Sequence, residues 1–411
     1  LRKALQQVEG DHERQAQRRR RFIPAVIGVM AVLALGLGYM TGRIMRPAVG
    51  VVEASAPAVP PLPAAATPAP APEMPAGGMH TVAKAANRPV WLAIRDPRML
   101  TQESPDMLII RFGDNMNNVA VTDGDKVEAE IRLGYHVDNA PIAKLVPYVN
   151  AVTEAEIDAL VAEYEKLYDF AADSKKGAAK HQFVRDAAAQ EIGLRRFLQD
   201  KGAKAFTTSF NELEGMKQLM GFASQRLMAE GYGFGAEGDW KSAALVRTLW
   251  VMGHDLPGGQ SFLEDYTLNF DGENSTILQA HMLEISPDIS GTKPRIEVHY
   301  LGIGDSETCA RLVFQAHEGS GIATTIVDMG NRFRMIVNEV EVVKPQALPK
   351  LPVACALWKP MPNFEIGAGA WILAGGTHHS CFSFSLTTDM MEDFAEIADI
   401  ELLIIDKKTN I

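Results

Sequence analysis

Three glycines in the second half of the chain have a spacing known from nucleotide-binding loops. Gly233, Gly235 and Gly238 match the pattern G-x-G-x-x-G, in which glycines let a pyrophosphate approach the backbone at the start of a helix. That chemistry requires a strand before the glycines. The preceding residues, 221–230, have a helical pattern instead. We therefore expect these glycines not to bind a dinucleotide, and a nicotinamide-dependent sugar oxidoreductase remains only as an alternative.

A second set of residue types suits a divalent cation. The set contains two glutamates and three histidines, namely Glu237, Glu264, His281, His378 and His379. Two carboxylates with imidazoles suit a borderline-hard ion such as Mn²⁺. Each residue also has a plainer interpretation: the glutamates as solvated charges, His281 as a core histidine, and the histidine pair as part of a loop. Spacing does not decide between these interpretations, because the sequence contains no compact metal motif.

The elements that position these residues follow an α/β pattern from Leu108 onward. Short apolar runs at 108–112 and 205–210 predict strands, and Thr153 with Glu156 forms a capping box that predicts a helix start. Strands that alternate with helices predict a layered, Rossmann-like α/β domain with a mostly parallel sheet. Further helices are predicted at 180–200, 212–230 and 239–253.

The pattern becomes β-rich after Gly258. Residues 328–331 lie between two alternating apolar runs and predict a hairpin. Several strands in succession predict an antiparallel β-barrel-like domain or a sandwich. We interpret the apolar residues before His378 as one of these strands, and we place His281 on the apolar face of another.

The N-terminal part has a different composition. Residues 1–46 are rich in arginine and lysine, and residues 22–42 carry no charge, which predicts a single transmembrane helix. Arg18 to Arg21 precede it and predict a cytoplasmic N-terminus. Residues 47–107 comprise a Pro/Ala-rich linker and an unassigned segment. The net charge of −11 leaves an acidic body, which argues against nucleic acid as a partner.

The three cysteines indicate no disulfide framework. Cys309, Cys355 and Cys381 lie far apart in the sequence and form no CxxC pair. An odd, sparse set is typical of reduced thiols in a reducing compartment. We expect buried, chemically inert side chains at all three positions.

Five stretches closely resemble the bacterial L-arabinose isomerases. They read GYGFGAEGDWKSAALVRTLWVMG, GGQSFLEDYTLNF, HMLEISP, LPKLPVACALWK and AWILAGGTHHSCFS. Residues 111–130 and 195–210 resemble the central domain of the same family. The resemblance begins near residue 108 and continues to the C-terminus. It implies a central α/β domain at 108–256 and a β-rich C-terminal domain at 257–411.

The resemblance implies a cytoplasmic, Mn²⁺-dependent aldose–ketose isomerase of sugar catabolism. Such enzymes convert L-arabinose to L-ribulose and often D-galactose to D-tagatose. The implied ligands of one ion per subunit are Glu237, Glu264, His281 and His379. Glu237 and Glu264 would also be the acid/base pair, because moving a proton between C2 and C1 through a cis-enediol needs a carboxylate base and its conjugate acid.

The resemblance also implies a sugar pocket and an assembly. His378 would contact the substrate, and Met116, Phe210 and Ile303 would line the pocket. The family forms trimers that pair into hexamers, so a homo-oligomer is expected here.

Residues 1–107 do not match the N-terminal α/β domain of this family, and the chain stops short of the family's last helix. We therefore expect activity to be impaired or lost. The alternative interpretation is a membrane-tethered, non-catalytic module with an isomerase-derived fold. The two expectations for location conflict, since the family is cytoplasmic and residues 22–42 predict a single-pass membrane protein.

Overall fold

The computed structural model describes residues 107–253, 255–301, 308–345 and 348–410. The transmembrane prediction for residues 22–42, the linker from residue 47 and Ile303 lie outside these ranges. Inside them, no helix combines the length and the apolar character that crossing a membrane requires.

The first part of the described chain is an α/β unit. Its four strands are all parallel and lie in the order β2-β1-β4-β5. They are β1 (Met107–Phe112), β2 (Tyr135–Ala140), β4 (Ala205–Thr208) and β5 (Gly233–Ala236). The helices are α1 (Lys126–Leu133), α2 (Val146–Asn150), α3 (Glu154–Leu167), α4 (His181–Lys201), α5 (Gly221–Ala229) and α6 (Trp240–Gly253). This architecture confirms the predicted layered α/β domain.

The predicted helix starts in this unit are only partly right. Helix α3 begins at Thr153 with the predicted capping box, since both reciprocal hydrogen bonds with Glu156 are present. The predicted helix 212–230 is wrong over its first half, because only α5 is helical. Gly215 has a φ of 89°, and Leu213 and Leu219 bury their side chains in a small apolar cluster with Phe210. Irregular backbone at 212–220 therefore packs these side chains where a continuous helix was expected.

The second part of the described chain contains a closed antiparallel barrel. Six strands pair in the ring β10-β13-β6-β7-β12-β11, and β10 closes it by pairing with β11. They are β6 (Gln260–Asn269), β7 (Thr276–Ala280), β10 (Gly319–Asp328), β11 (Phe333–Val343), β12 (Cys355–Pro360) and β13 (His379–Ser383). The barrel and the hairpin between β10 and β11 confirm the prediction for this part.

The remaining elements surround the barrel. β14 (Glu401–Ile405) pairs in parallel with β11, and a separate three-stranded sheet contains β3 (Asp169–Phe170), β8 (Arg295–Tyr300) and β9 (Thr308–Val313). Two helices, α7 (Phe364–Leu373) and α8 (Thr388–Ala398), complete the described chain.

Two local predictions in the barrel region are wrong. The apolar residues before His378 form the end of α7, which Asn363 caps by accepting a hydrogen bond from the Ile366 amide. A short continuous apolar run does not distinguish a buried strand from a helix by its periodicity. His281 does not lie in a strand either, because β7 ends at Ala280 and His281 begins the following loop.

Helix α6 joins the two parts of this core. It contacts β4 and β5 of the parallel sheet as well as β6, β10 and β13 of the barrel. Almost every residue of α6 is therefore buried, polar ones included. The N-terminus of α6 thus lies next to the first residue of β13. The candidate glutamates and histidines predicted from the sequence lie at this junction.

Candidate metal and active site

The glycine motif lies at the turn from β5 into α6, and its glycines allow close packing. A Cβ atom on Gly233 would lie 2.0 Å from the Ala243 carbonyl oxygen, and one on Gly235 would lie 2.2 Å from the Asp239 carbonyl oxygen. Gly238 has a φ of 83°. As expected, a helix and not a strand precedes the motif, because α5 ends at Ala229 and β5 begins at Gly233 itself. The first two glycines lie inside β5. Their absent side chains let α6 pack directly on this strand.

Glu237 occupies a strained position in this turn. Its φ is 60°, a left-handed conformation that non-glycine residues adopt rarely and that is often found at functional sites. The Glu237 carbonyl accepts a hydrogen bond from the Met116 amide at 3.0 Å. Its carboxylate oxygen Oε2 is buried and has no hydrogen-bond partner among the described residues. This oxygen lies 3.6 Å from Nε2 of His378 and 3.6 Å from Nε2 of His379.

His379 is the first residue of β13, and its imidazole is completely buried. Nδ1 donates to Asp239 Oδ2 at 2.9 Å, because an ionised carboxylate can only accept. Nε2 then carries the lone pair, and this buried atom has no hydrogen-bond partner in the described chain. The arrangement matches the carboxylate–histidine pairs that orient metal-binding imidazoles.

Glu264 and His281 form a neighbouring pair. Glu264 lies on β6 directly opposite His379 on β13, so the two side chains share one face of the barrel wall. Glu264 Oε2 lies 3.8 Å from His281 Nε2. His281 Nδ1 lies 2.5 Å from Glu284 Oε2, which also accepts from the Leu283 amide. Both buried histidines therefore turn Nδ1 to a carboxylate and Nε2 toward the same space.

The predicted ligands converge, although not as one equal set of four. Potential ligand atoms of Glu237, His378 and His379 all lie within 4.8 Å of one another. Glu264 and His281 adjoin this trio, and the ring centres of His281 and His379 are 5.9 Å apart. The five residues chosen from the sequence thus form one cluster at the junction of the α/β unit and the barrel.

The pKa shifts in this cluster follow from burial and from its mixture of carboxylates and imidazoles. Burial lowers the pKa of His379 below its ordinary value, which leaves a neutral imidazole. Burial opposes ionisation of Glu237, but the nearby imidazoles outweigh it and lower the pKa of Glu237. Burial alone would lower the pKa of His281, yet Glu284, Glu264 and Glu237 raise it to about 8.

Aromatic rings hold the two buried imidazoles. Phe210 stacks on His281 with 5.8 Å between ring centres, and Phe262 packs edge-on against both His281 and His379. Met116 packs beside Phe210 in the same apolar cluster. The structure therefore places Met116 and Phe210 next to the predicted ligands.

Three contributors received no role from the sequence alone. Asp239 and Glu284 orient the two histidines, and Phe262 lies between them. A usable signal existed for the two acids, because Asp239 follows Glu237 by two residues and Glu284 follows His281 by three. For Phe262 there is no such signal, since its position depends on the pairing of β6 with β13.

Comparisons with known proteins agree with this geometry. A family model described as the L-arabinose isomerase central domain matches residues 108–255, and one described as the L-arabinose isomerase C-terminal domain matches residues 259–401. The L-arabinose isomerase of Bacteroides thetaiotaomicron is 63% identical over 317 residues, which is 75% of this chain and 62% of that relative. Those of Tolumonas auensis and Geobacillus kaustophilus are 53% and 52% identical over 310 residues. The chain spans 62% of the length of these curated relatives.

Proposed function

This chain belongs to the L-arabinose isomerase family, and on this premise we propose that it is an aldose–ketose isomerase that converts L-arabinose to L-ribulose. The observation that carries the proposal is the pair of buried atoms Glu237 Oε2 and His379 Nε2, which face each other without hydrogen-bond partners in the described chain. We include D-galactose as a second substrate, because it has the configuration of L-arabinose at C2, C3 and C4.

The donor set fits a divalent ion. Burying a polar atom without a partner is costly, and a cation between Glu237 Oε2 and His379 Nε2 would satisfy both. We propose that Glu237, Glu264, His281 and His379 hold one Mn²⁺ ion, since carboxylate and imidazole ligands suit it. When bound, the ion acts as a Lewis acid and a template for adjacent sugar oxygens. His378 is one-third exposed, and we assign it to the substrate instead.

The protein groups perform the proton transfer in this proposal. Isomerisation removes the proton on C2 and delivers one to C1, and Glu237 and Glu264 serve as the acid/base pair. Met116 and Phe210 line the sugar pocket, as does Ile303, which lies outside the described residues. Asp239 and Glu284 keep the rings of His379 and His281 in place for metal binding and, through the metal site, for the proton transfer.

Two further proposals concern organisation. We place the boundary between the two domains at 256/257, in the connection between the end of α6 and the start of β6. We also propose a homo-oligomer, a trimer or a hexamer, as the family resemblance implies. The exposed Val127 (68%) and Ile131 (72%) on one face of α1 are apolar surface that a partner subunit would cover. Light scattering coupled to size-exclusion chromatography measures the mass of the assembly.

The test of the proposed function uses the full chain, stripped with a chelator and reconstituted with Mn²⁺. We expect L-ribulose from L-arabinose in the reconstituted sample and none in the stripped one. Glu264→Gln should reduce turnover by at least about 100-fold, the lower bound for loss of a general acid or base. Glu273→Gln, on the exposed turn after β6, is the matched control and should keep full turnover. A protein that binds Mn²⁺ and forms no L-ribulose would contradict the proposal.

A further inference from the structure

Lys241 is a buried lysine to which the proposed reaction gives no role. It lies in the first turn of α6, and its side chain is only 3% exposed. Its ammonium group donates to the carbonyl of Val121 at 2.9 Å and to the carbonyl of Asp123. It also lies 3.8 Å from Asp239 Oδ1. A buried ammonium is tolerated only when it is paired. Here two backbone carbonyls accept its hydrogen bonds, and the Asp239 carboxylate supplies an opposite charge.

One of these partners is the carboxylate that orients His379. Asp239 is buried, and its Oδ2 accepts from His379 Nδ1 at 2.9 Å and from the Ser242 hydroxyl at 2.7 Å. Its Oδ1 accepts from the Ser242 amide at 3.0 Å. Lys241 places its positive charge 3.8 Å from the same oxygen, so the carboxylate lies between His379 on one side and Lys241 on the other.

The other partners belong to the connection between β1 and α1. This connection also carries Met116, whose amide donates to the Glu237 carbonyl. The Val119 amide donates back to the Met116 carbonyl at 2.9 Å, and the Thr122 hydroxyl donates to the Val119 carbonyl at 2.7 Å. Lys241 therefore links the β1–α1 connection, which contacts Glu237, to Asp239, which contacts His379.

We infer that Lys241 is a positioning residue: the carbonyls of Val121 and Asp123 hold its ammonium group, which fixes Asp239 and through it the ligand atom Nε2 of His379. This inference deepens the proposed function and rests on its metal site. Lys241 does not touch the cluster of ligand atoms itself, so its effect passes through Asp239.

A double-mutant cycle on the full chain tests this route. Titration calorimetry on chelator-stripped protein measures the Mn²⁺ Kd of wild type, Lys241→Met, Asp239→Asn and the double variant. We expect Asp239→Asn to raise the Kd by about 10- to 100-fold, as loss of an outer partner of a metal-binding histidine typically does. Lys241→Met should also raise the Kd, by no more than Asp239→Asn does. We expect the double variant to match Asp239→Asn, because residues that act through one contact are not additive. The control, Lys293→Met, removes an exposed pair with Asp169 and should leave the Kd unchanged.

The outcomes separate this inference from the proposed function. An unchanged Kd for Lys241→Met, or effects that multiply in the double variant, overturns the inference. If Lys241→Met does not melt cooperatively, Lys241→Gln replaces it, since glutamine keeps two N–H donors for the carbonyls without the charge. A wild type that binds Mn²⁺ but forms no L-ribulose overturns the isomerase proposal and leaves the cycle valid. A wild type that binds no Mn²⁺ overturns both.

Discussion

Two regions of this molecule bury a glutamate beside cationic or imidazole groups, and they treat it in opposite ways. Glu191 on α4 is completely buried. Its carboxylate accepts from the Tyr164 hydroxyl at 2.6 Å, from Arg195 at 2.6 Å and from Arg226 Nε at 3.3 Å. Arg226 in turn donates to the Tyr168 hydroxyl at 3.1 Å. Glu237, at the candidate site, leaves Oε2 buried with no hydrogen-bond partner in the described chain.

The difference separates a structural network from a site prepared for a ligand. In the Glu191 network the buried carboxylate has two arginines and a tyrosine hydroxyl as partners within the protein, which ties α3, α4 and α5 together. At Glu237 the backbone is strained, and the nearest groups are imidazoles at 3.6 Å, too far for a hydrogen bond. A buried polar atom without a partner costs stability. A ligand that binds Glu237 Oε2 therefore stabilises the folded protein, whereas the Glu191 carboxylate already has its partners and offers a ligand no such gain in stability.

The largest expected effect, on turnover and on the response of Tm to Mn²⁺, comes from removing the charge of Glu237. Glu237→Gln should reduce turnover of L-arabinose by at least about 100-fold, because it removes one member of the acid/base pair. The same change should abolish the rise in Tm that Mn²⁺ gives to the wild type. The Tm of the metal-free protein should change little, because Glu237 Oε2 makes no hydrogen bond in the described chain and its imidazole neighbours lie 3.6 Å away. Thermal scans with and without Mn²⁺ measure both. If Mn²⁺ still raises the Tm of Glu237→Gln, the Glu237 site does not differ from the Glu191 network in its need for a ligand.

The second-largest expected effect is a loss of stability at the Glu191 network, where the carboxylate already has protein partners. Glu191→Gln should lower the free energy of unfolding by about 3–5 kcal/mol, because Glu191 is the fully buried counter-charge of Arg226 and the remaining carboxylates, Glu163 and Glu230, are partly exposed. The rise in Tm with Mn²⁺ should remain. Glu163→Gln is the matched control, since Glu163 pairs with the same arginine at 2.7 Å but is half exposed. Its effect should stay within about 1 kcal/mol. Equal effects of the two changes in denaturant titrations would refute the assignment of Glu191 as the buried anchor.

The comparison also explains which parts of the molecule the sequence predicts. Local patterns identify α3, through its capping box, and the hairpin between β10 and β11, through its turn. They misassign 212–220 and the end of α7, because the conformation there depends on what the apolar side chains pack against. Residue types suggested Glu237, Glu264, His281, His378 and His379 as candidates, and the resemblance to the L-arabinose isomerases implied which four of them are ligands. Their convergence comes from the register of β6 with β13 and from the packing of α6, which only the fold supplies.

The glycine motif illustrates the same limit. Its spacing is genuine and α6 follows it, yet the first two glycines lie inside β5, where their missing side chains make room for α6. Sequence spacing does not reveal whether a missing side chain makes room for a ligand or for a helix. Asp239 and Lys241 follow within a few residues, and their roles become visible only when β13 brings His379 to the helix start.

The smallest expected effect concerns Glu156, a carboxylate that has hydrogen-bond partners, like Glu191, but lies at the surface. At the start of α3, the Thr153 amide and hydroxyl and the Arg196 guanidinium lower the pKa of Glu156 to about 2. Because the folded pKa lies below the ordinary value near 4.5, ionised Glu156 stabilises the fold above about pH 4.5. This contribution is lost as the pH falls toward about 2. Glu156→Gln should therefore lower the Tm more at pH 6 than at pH 3. A Tm difference between the two proteins that does not change with pH would show that the cap contributes through geometry and not through charge.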